Sequence, residues 1–255
     1  MAAVALGSLR SCGVSTAALA LASSWPTDRR VLLVEVDPAG GTLAATLGLA
    51  PEPGLLSLAA ATRRPLEATV EPGLALAHTQ VLTANASILV APPSAEQARQ
   101  TCALLEPLIA SLGALEDDVL LDCGRLERAT PTAALFAAAA VPLLATRCQL
   151  ADLHTAAASL ERLIGSERAV LLLVGEATYP EGEVASALER EVLGSLPHDP
   201  LGVARLTGAE RLRGRARRSP LVRSAAGIAT AIAARLDEAR PADMVAGSPS
   251  WNGHR

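Results

Sequence analysis

Ala3-Val4-Ala5-Leu6-Gly7-Ser8-Leu9-Arg10-Ser11-Cys12-Gly13-Val14-Ser15-Thr16, continued by Ala17-Ala18-Leu19-Ala20-Leu21-Ala22, passes from an apolar strand through a loop of small residues into an Ala/Leu helix over Val14 to Ser24. Such a turn can aim successive backbone N–H groups at an anion, and the helix dipole adds to the attraction. Ser15 and Thr16 stand where their hydroxyls can meet a phosphate or Mg²⁺. The stretch completes no phosphate-loop pattern, and short glycine-bearing turns join strands to helices throughout α/β proteins, so its meaning depends on the rest of the chain.

From this turn onward, short apolar runs alternate regularly with longer helical patterns. Strands are predicted at Ala3 to Leu6, Val31 to Val36, Ser87 to Ala91, Val119 to Leu121, Pro142 to Ala145, Val170 to Val174 and Val192 to Leu196. Several are apolar throughout rather than alternately, as strands covered on both faces should be. Further helices are predicted at Ala95 to Leu112, Thr132 to Ala140, Ala151 to Ile164, Glu181 to Arg190 and Leu221 to Ala239. In the last, Leu221, Val222, Ala225, Ile228, Ala229, Ile232 and Leu236 form a stripe at helical spacing that packs on a core. The expected fold is α/β, a doubly wound and mostly parallel sheet flanked by helices. One domain is expected over residues 1–240, with a disordered tail of Gly, Ser, Pro and Asn over 241–255.

Composition narrows the function. Of 255 residues 50% are hydrophobic, only 2% aromatic, and the net charge is −4, which argues against base stacking and against coating nucleic acid over the whole surface. All 22 basic residues are arginine, so any chemistry that needs a lysine ammonium is excluded. Cys12, Cys102, Cys123 and Cys148 lack C-x-x-C spacing, which points to a reducing cytoplasm. No apolar run reaches the roughly 18 residues of a membrane span, and Pro142 interrupts the longest candidate, Ala133 to Ala145. The small-residue turn interrupts the N-terminal apolar stretch and no basic segment precedes it, so no secretory signal is expected.

Two carboxylates suggest a site. Val31-Leu32-Leu33-Val34-Glu35-Val36-Asp37-Pro38-Ala39-Gly40-Gly41 and Val119-Leu120-Leu121-Asp122-Cys123-Gly124 each end a buried strand near an aspartate, at the sheet edge where α/β proteins bind ligands. With the turn at the same edge, Asp37 and Asp122 form the arrangement that holds a Mg²⁺-nucleotide.

In this order and spacing, from about Ala3 to Leu236, the chain resembles the MinD/ParA group of phosphate-loop ATPases, whose signature reads K-G-G-x-G-K-[ST]-T. On that resemblance Cys12, Gly13 and Val14 stand on the glycines and variable residue of the loop, and Ser15 replaces its last glycine. Thr16 falls on the loop lysine, Ser11 on the earlier signature lysine, and Ala17-Ala18 on the Ser/Thr pair. A shifted alignment instead puts Ser15 or Thr16 on the Mg²⁺-binding hydroxyl, and the letters alone leave both alignments open. The resemblance implies that Asp37 positions the attacking water, that Asp122 serves the metal, and that Pro197, in Leu196-Pro197-His198-Asp199, closes over the base. The strand Val170 to Val174 ends in Gly175-Glu176, where the family has an adenine-binding Asn-Arg.

Without lysines, several kcal/mol of transition-state stabilisation would be missing. The resemblance therefore implies a degenerate member, with weak or absent binding of ATP or ADP with Mg²⁺. It would act as a dimer and as a positioning partner for chromosome, septum or pilus machinery, in the manner of the TadZ/CpaE type. The alternatives are a slow Mg²⁺-dependent ATPase and a module that contacts DNA through Arg211, Arg213, Arg215, Arg217, Arg218 and Arg223. No direct membrane insertion is expected. Cys12, Cys123 and Cys148 fall near strand ends on one edge and could form a thiol site, although free cysteines are usually small buried hydrophobes. Of the histidines only His198 lies in a candidate site loop.

Overall fold

The computed structural model describes residues 3–62, 72–103, 112, 115–160, 166–208 and 219–240. Its centre is an eight-stranded sheet: β1 Ala3–Ser8, β2 Val31–Glu35, β3 Gln80–Val81, β4 Ala86–Leu89, β5 Asp118–Arg125, β6 Val141–Arg147, β7 Val170–Val174 and β8 Val192–Leu196. The strand order is β3-β4-β2-β5-β1-β6-β7-β8, parallel except where β3 meets β4. The helices are α1 Val14–Ser23, α2 Leu43–Leu47, α3 Leu55–Ala61, α4 Pro72–Ala77, α5 Ala95–Ala103, α6 Pro131–Ala138, α7 Leu150–Leu160, α8 Glu181–Leu188, α9 Pro200–Thr207 and α10 Pro220–Ala239.

Alternate residues of each strand serve opposite faces. Val4 and Leu6 join Leu33 in a core capped by α1, α9 and α10, while Ala3 and Ala5 join Leu32 and Val34 in a second core under α3 and α6 to α8. Burial on both sides is why these strands are apolar without alternation. The close contact of α1 with α10 uses small residues: Ala18, Ala22, Ala225 and Ala229 are all buried there.

Three strands run further than their apolar letters suggest, β6 reaching Arg147 rather than ending at Ala145. β1 continues through Ser8, which pairs with Arg125 on one side and Ala145 on the other, and β5 extends to Arg125 rather than stopping at Leu121. Gly7 permits this, because a Cβ there would lie 2.6 Å from Leu126 Cγ. Asp122 is consequently inside a strand, paired with Leu6 and Glu35, while α1 begins at Val14 as expected. The helix expected over Ala95 to Leu112 is described to Ala103, and the expected tail over 241–255 lies outside the described residues. No helix among the described residues is long and apolar enough to cross a membrane.

The amino-terminal edge of the sheet is tied by a charge network. Asp118, 1% exposed, accepts from Trp25 Nε1 at 2.8 Å, from Arg29 Nε and Nη2 at 2.7 and 2.8 Å, and from Arg240 Nη2 at 2.7 Å. Arg29 also holds Asp237, so the end of α10 is fastened to the starts of β2 and β5. Removing the one carboxylate strands partly buried cations and an indole N–H together. We expect Asp118→Ala to cost about 3–5 kcal/mol in urea unfolding, the range for breaking a buried pair; a loss below about 1 kcal/mol would show the network to be ornamental.

Candidate functional site

Beyond Ser8 the chain turns through Leu9 to Gly13 and enters α1. Arg10 is held by Asp152 at 3.2 Å and Thr155 at 3.4 Å, and the Cys12 thiol faces the Ala145 carbonyl at 3.6 Å. Gly13 has φ +92°, a left-handed conformation that favours glycine, and releases the chain into the helix. No side chain caps this N-terminus and no acidic residue stands in the first turn, so its amide N–H groups are open to an outside acceptor.

Beside the turn lie carboxylates with different tasks. Glu35, 1% exposed, accepts from the amides of Thr42 at 2.7 Å, Leu43 at 3.0 Å and Ala91 at 3.0 Å. It pins the start of α2 and the end of β4, a structural duty that an acid inside Val31-Leu32-Leu33-Val34-Glu35 could have signalled. Asp37 accepts from the Ala39 amide at 2.8 Å and rests against Gly124, where a Cβ would come within 2.1 Å of Asp37 Oδ2. Burial pushes its carboxyl up from the usual range.

Asp122 is fully buried. Its Oδ1 accepts from the Gly124 amide at 3.1 Å, while Oδ2 has no hydrogen-bond partner. Burial lifts its pKa to about 7, with Glu35 and Asp37 adding repulsion against the opposing influence of the Ser15 hydroxyl and the Gly124 amide. Ser15 is thus the hydroxyl that faces Asp122, whereas Thr16 borders two cavities around the turn.

One cavity, about 570 Å³, is lined by Ser11, Ser15, Asp37, Arg99, Arg125 and Thr130. The other, about 430 Å³, has apolar walls of Val174, Leu196, Pro197, Val203 and Leu221, with Arg147, His198 and Asp199 at its polar side. They meet at Cys12, Gly13 and Thr16. Asp199 is already committed: it accepts from the Gly202 amide at 2.8 Å and the Ser219 hydroxyl at 2.6 Å, joining α9 to α10, and Ser219 holds its carboxyl below the usual range. One polar wall and one apolar wall on either side of open amides suit a ligand with an anionic chain and a planar apolar end.

The structure therefore gathers Cys12, Gly13, Val14, Ser15, Thr16, Asp37, Asp122 and Pro197 around one turn. It does not gather the thiols. Cys12 and Cys148 face different backbone carbonyls, those of Ala145 and Tyr179, while Cys123 lies beside Cys102. Among the described residues no group of three metal-ligating side chains forms. Arg211, Arg213, Arg215, Arg217 and Arg218 lie outside the described residues, and Arg223 is exposed on α10. Arg99, Arg125 and Arg147 are site residues that sequence reading did not find, because each comes from a different element.

No protein-family model and no curated protein sequence matches the chain. Solved structures do. A ParA family ATPase from Chlorobium tepidum TLS superposes with TM-score 0.71 at 18% identity, over 90% of this chain and 99% of the other. The cell division ATPase MinD of Pyrococcus furiosus gives 0.68 at 19% identity, over 94% and 100%. The septum site-determining protein MinD of Pyrococcus horikoshii OT3, complexed with Mg-ADP, gives 0.59 at 16% identity, over 96% of each chain. The chain has the α/β architecture of these MinD and ParA phosphate-loop proteins.

The raised pKa of Asp122 has a thermodynamic consequence. Folding takes up a proton where the folded carboxyl is protonated and the unfolded one is not, so its contribution falls as pH rises from about 4 to about 7. Without divalent cations, Asp122→Asn should exceed the wild type in stability at pH 8 by on the order of 2–4 kcal/mol, the difference closing toward pH 4. Parallel stability–pH curves for the two proteins would contradict the assignment.

Proposed function

We propose that the chain is a nucleotide-responsive positioning protein of the MinD/ParA kind, working as a dimer with a protein partner, that binds a Mg²⁺-nucleotide weakly and hydrolyses it slowly or not at all. The observation that carries this reading is the unpartnered, fully buried Oδ2 of Asp122 beside Ser15, at an uncapped helix N-terminus between two cavities. That donor set fits Mg²⁺, a hard cation that takes carboxylate and hydroxyl oxygens along with those of a phosphate. Asp122 and Ser15 would hold the ion, which would supply positive charge to the phosphate oxygens.

Weak catalysis is inferred from composition. Thr16 and Ser11 occupy the positions that the resemblance gives to lysine, and the chain contains no lysine to put elsewhere. An ATPase lacking those ammoniums forgoes several kcal/mol of stabilisation on the transferred phosphoryl group. Asp37 borders the same cavity as Ser15, which supports a slow ATPase as the second reading. Names among the similar structures, a cell division ATPase and a septum site-determining protein, lend the positioning role its context. Pilus, septum and chromosome machinery are the partners to try.

Calorimetric titration with ATP and with ADP in Mg²⁺ tests the reading. Micromolar binding that disappears in Asp122→Ala is expected, with turnover barely above background. Absence of heat at millimolar nucleotide would overturn it, and brisk turnover lost in Asp37→Ala would establish the enzyme instead.

A further inference from the structure

A polyphosphate seated on the amides of Cys12 to Thr16 needs compensating charge, and the arginines near the turn are not equally free to give it. Arg10 is engaged by Asp152 and Thr155. Arg125 is paired with Glu127 at 2.7 Å. Arg99 lines the first cavity, which also holds Asp37 and Glu127. Arg147, like Arg99, is exposed, and among the described residues no carboxylate or hydrogen-bond acceptor engages its guanidinium, but it stands on the apolar-walled cavity, away from Asp37 and Glu127. The carboxylate that lines its cavity, Asp199, is taken up by Gly202, Ser219 and the Leu221 amide at 3.4 Å.

The position is also a rigid one. Arg147 is the last residue of β6, paired with Val174 of β7, and two residues earlier Ala145 pairs with Ser8 at the mouth of the turn. Its side chain borders the second cavity together with Cys12, Gly13 and Thr16, and its charge acts on the Cys12 thiol. The strand end fixes where the side chain starts, and the planar fork of a guanidinium matches two phosphate oxygens at once.

We propose that Arg147 is the phosphate-binding cation of this lysine-free site, clamping the phosphates of a nucleoside di- or triphosphate from the side of the apolar cavity. The inference rests on the nucleotide reading of the site and adds the residue that makes binding feasible without an ammonium. Because Arg147 belongs to the cavity with apolar walls, it meets the phosphates nearest the nucleoside, so diphosphate and triphosphate depend on it alike.

Titrations of the full chain with Mg-ATP, Mg-ADP and Mg-tripolyphosphate, comparing wild type with Arg147→Ala, Arg147→Lys and, at the opposite end of the sheet, Arg30→Ala, decide the matter. Arg147→Ala should weaken ATP and ADP by about tenfold or more, as loss of a charge-assisted contact does, with Arg147→Lys recovering only part and Arg30→Ala nearly unchanged. Wild-type binding that Arg147→Ala leaves within about twofold overturns the role of Arg147 while the nucleotide reading survives. Tripolyphosphate bound as tightly as ATP, and lost in Arg147→Ala, supports the cation and overturns the nucleotide reading. No binding of any of the three ligands by the wild type overturns both.

Discussion

Asp122 is buried in the strand between β1 and β2, with one carboxylate oxygen bonded to an amide and the other to nothing. Burying a charge without a partner is expensive enough that the group takes up a proton instead, which is what a pKa near 7 expresses. Glu35 and Asp37 nearby make the ionised form still less favourable. No lysine exists to relieve the crowding, and on the proposed reading a bound cation would satisfy this edge of the sheet in place of the proton. The open amides of α1, the placement of Ser15 and the two cavities all belong to that one arrangement.

The opposite edge is built on the contrary principle. Asp118, as buried as Asp122 is, has its acceptor capacity filled by Trp25, Arg29 and Arg240. There the chain is closed, while at the carboxyl edge it is left unfinished. Stability invested at one end of a parallel sheet can hold the frame in place while the other end keeps a buried carboxyl with an unpartnered oxygen.

Much of the frame was legible in the letters because fully covered strands must be apolar throughout, and β7 begins and ends where its apolar run does. Length hid α2, α3, α4 and the two-residue β3, which are too short to show a period, and α9 was not read from its letters either. β5 extends beyond its apolar letters because Asp122, Cys123 and Gly124 read as a strand end, whereas pairing with both neighbours carries the strand onward. In the site, Asp37, Asp122 and the turn stood out as local patterns. Arg147 did not, because its meaning depends on Arg10 being neutralised by Asp152, an event between distant elements that no local spacing records.

If a phosphate-type turn without lysine still receives a Mg²⁺-nucleotide at this edge, amide hydrogen exchange with and without saturating Mg-ATP records it segment by segment. Slowed exchange over residues 8–18, 122–126 and 174–200, with no change around Asp118 and Arg240, is the predicted result. Exchange that is unaltered in all of these segments at millimolar nucleotide would contradict it.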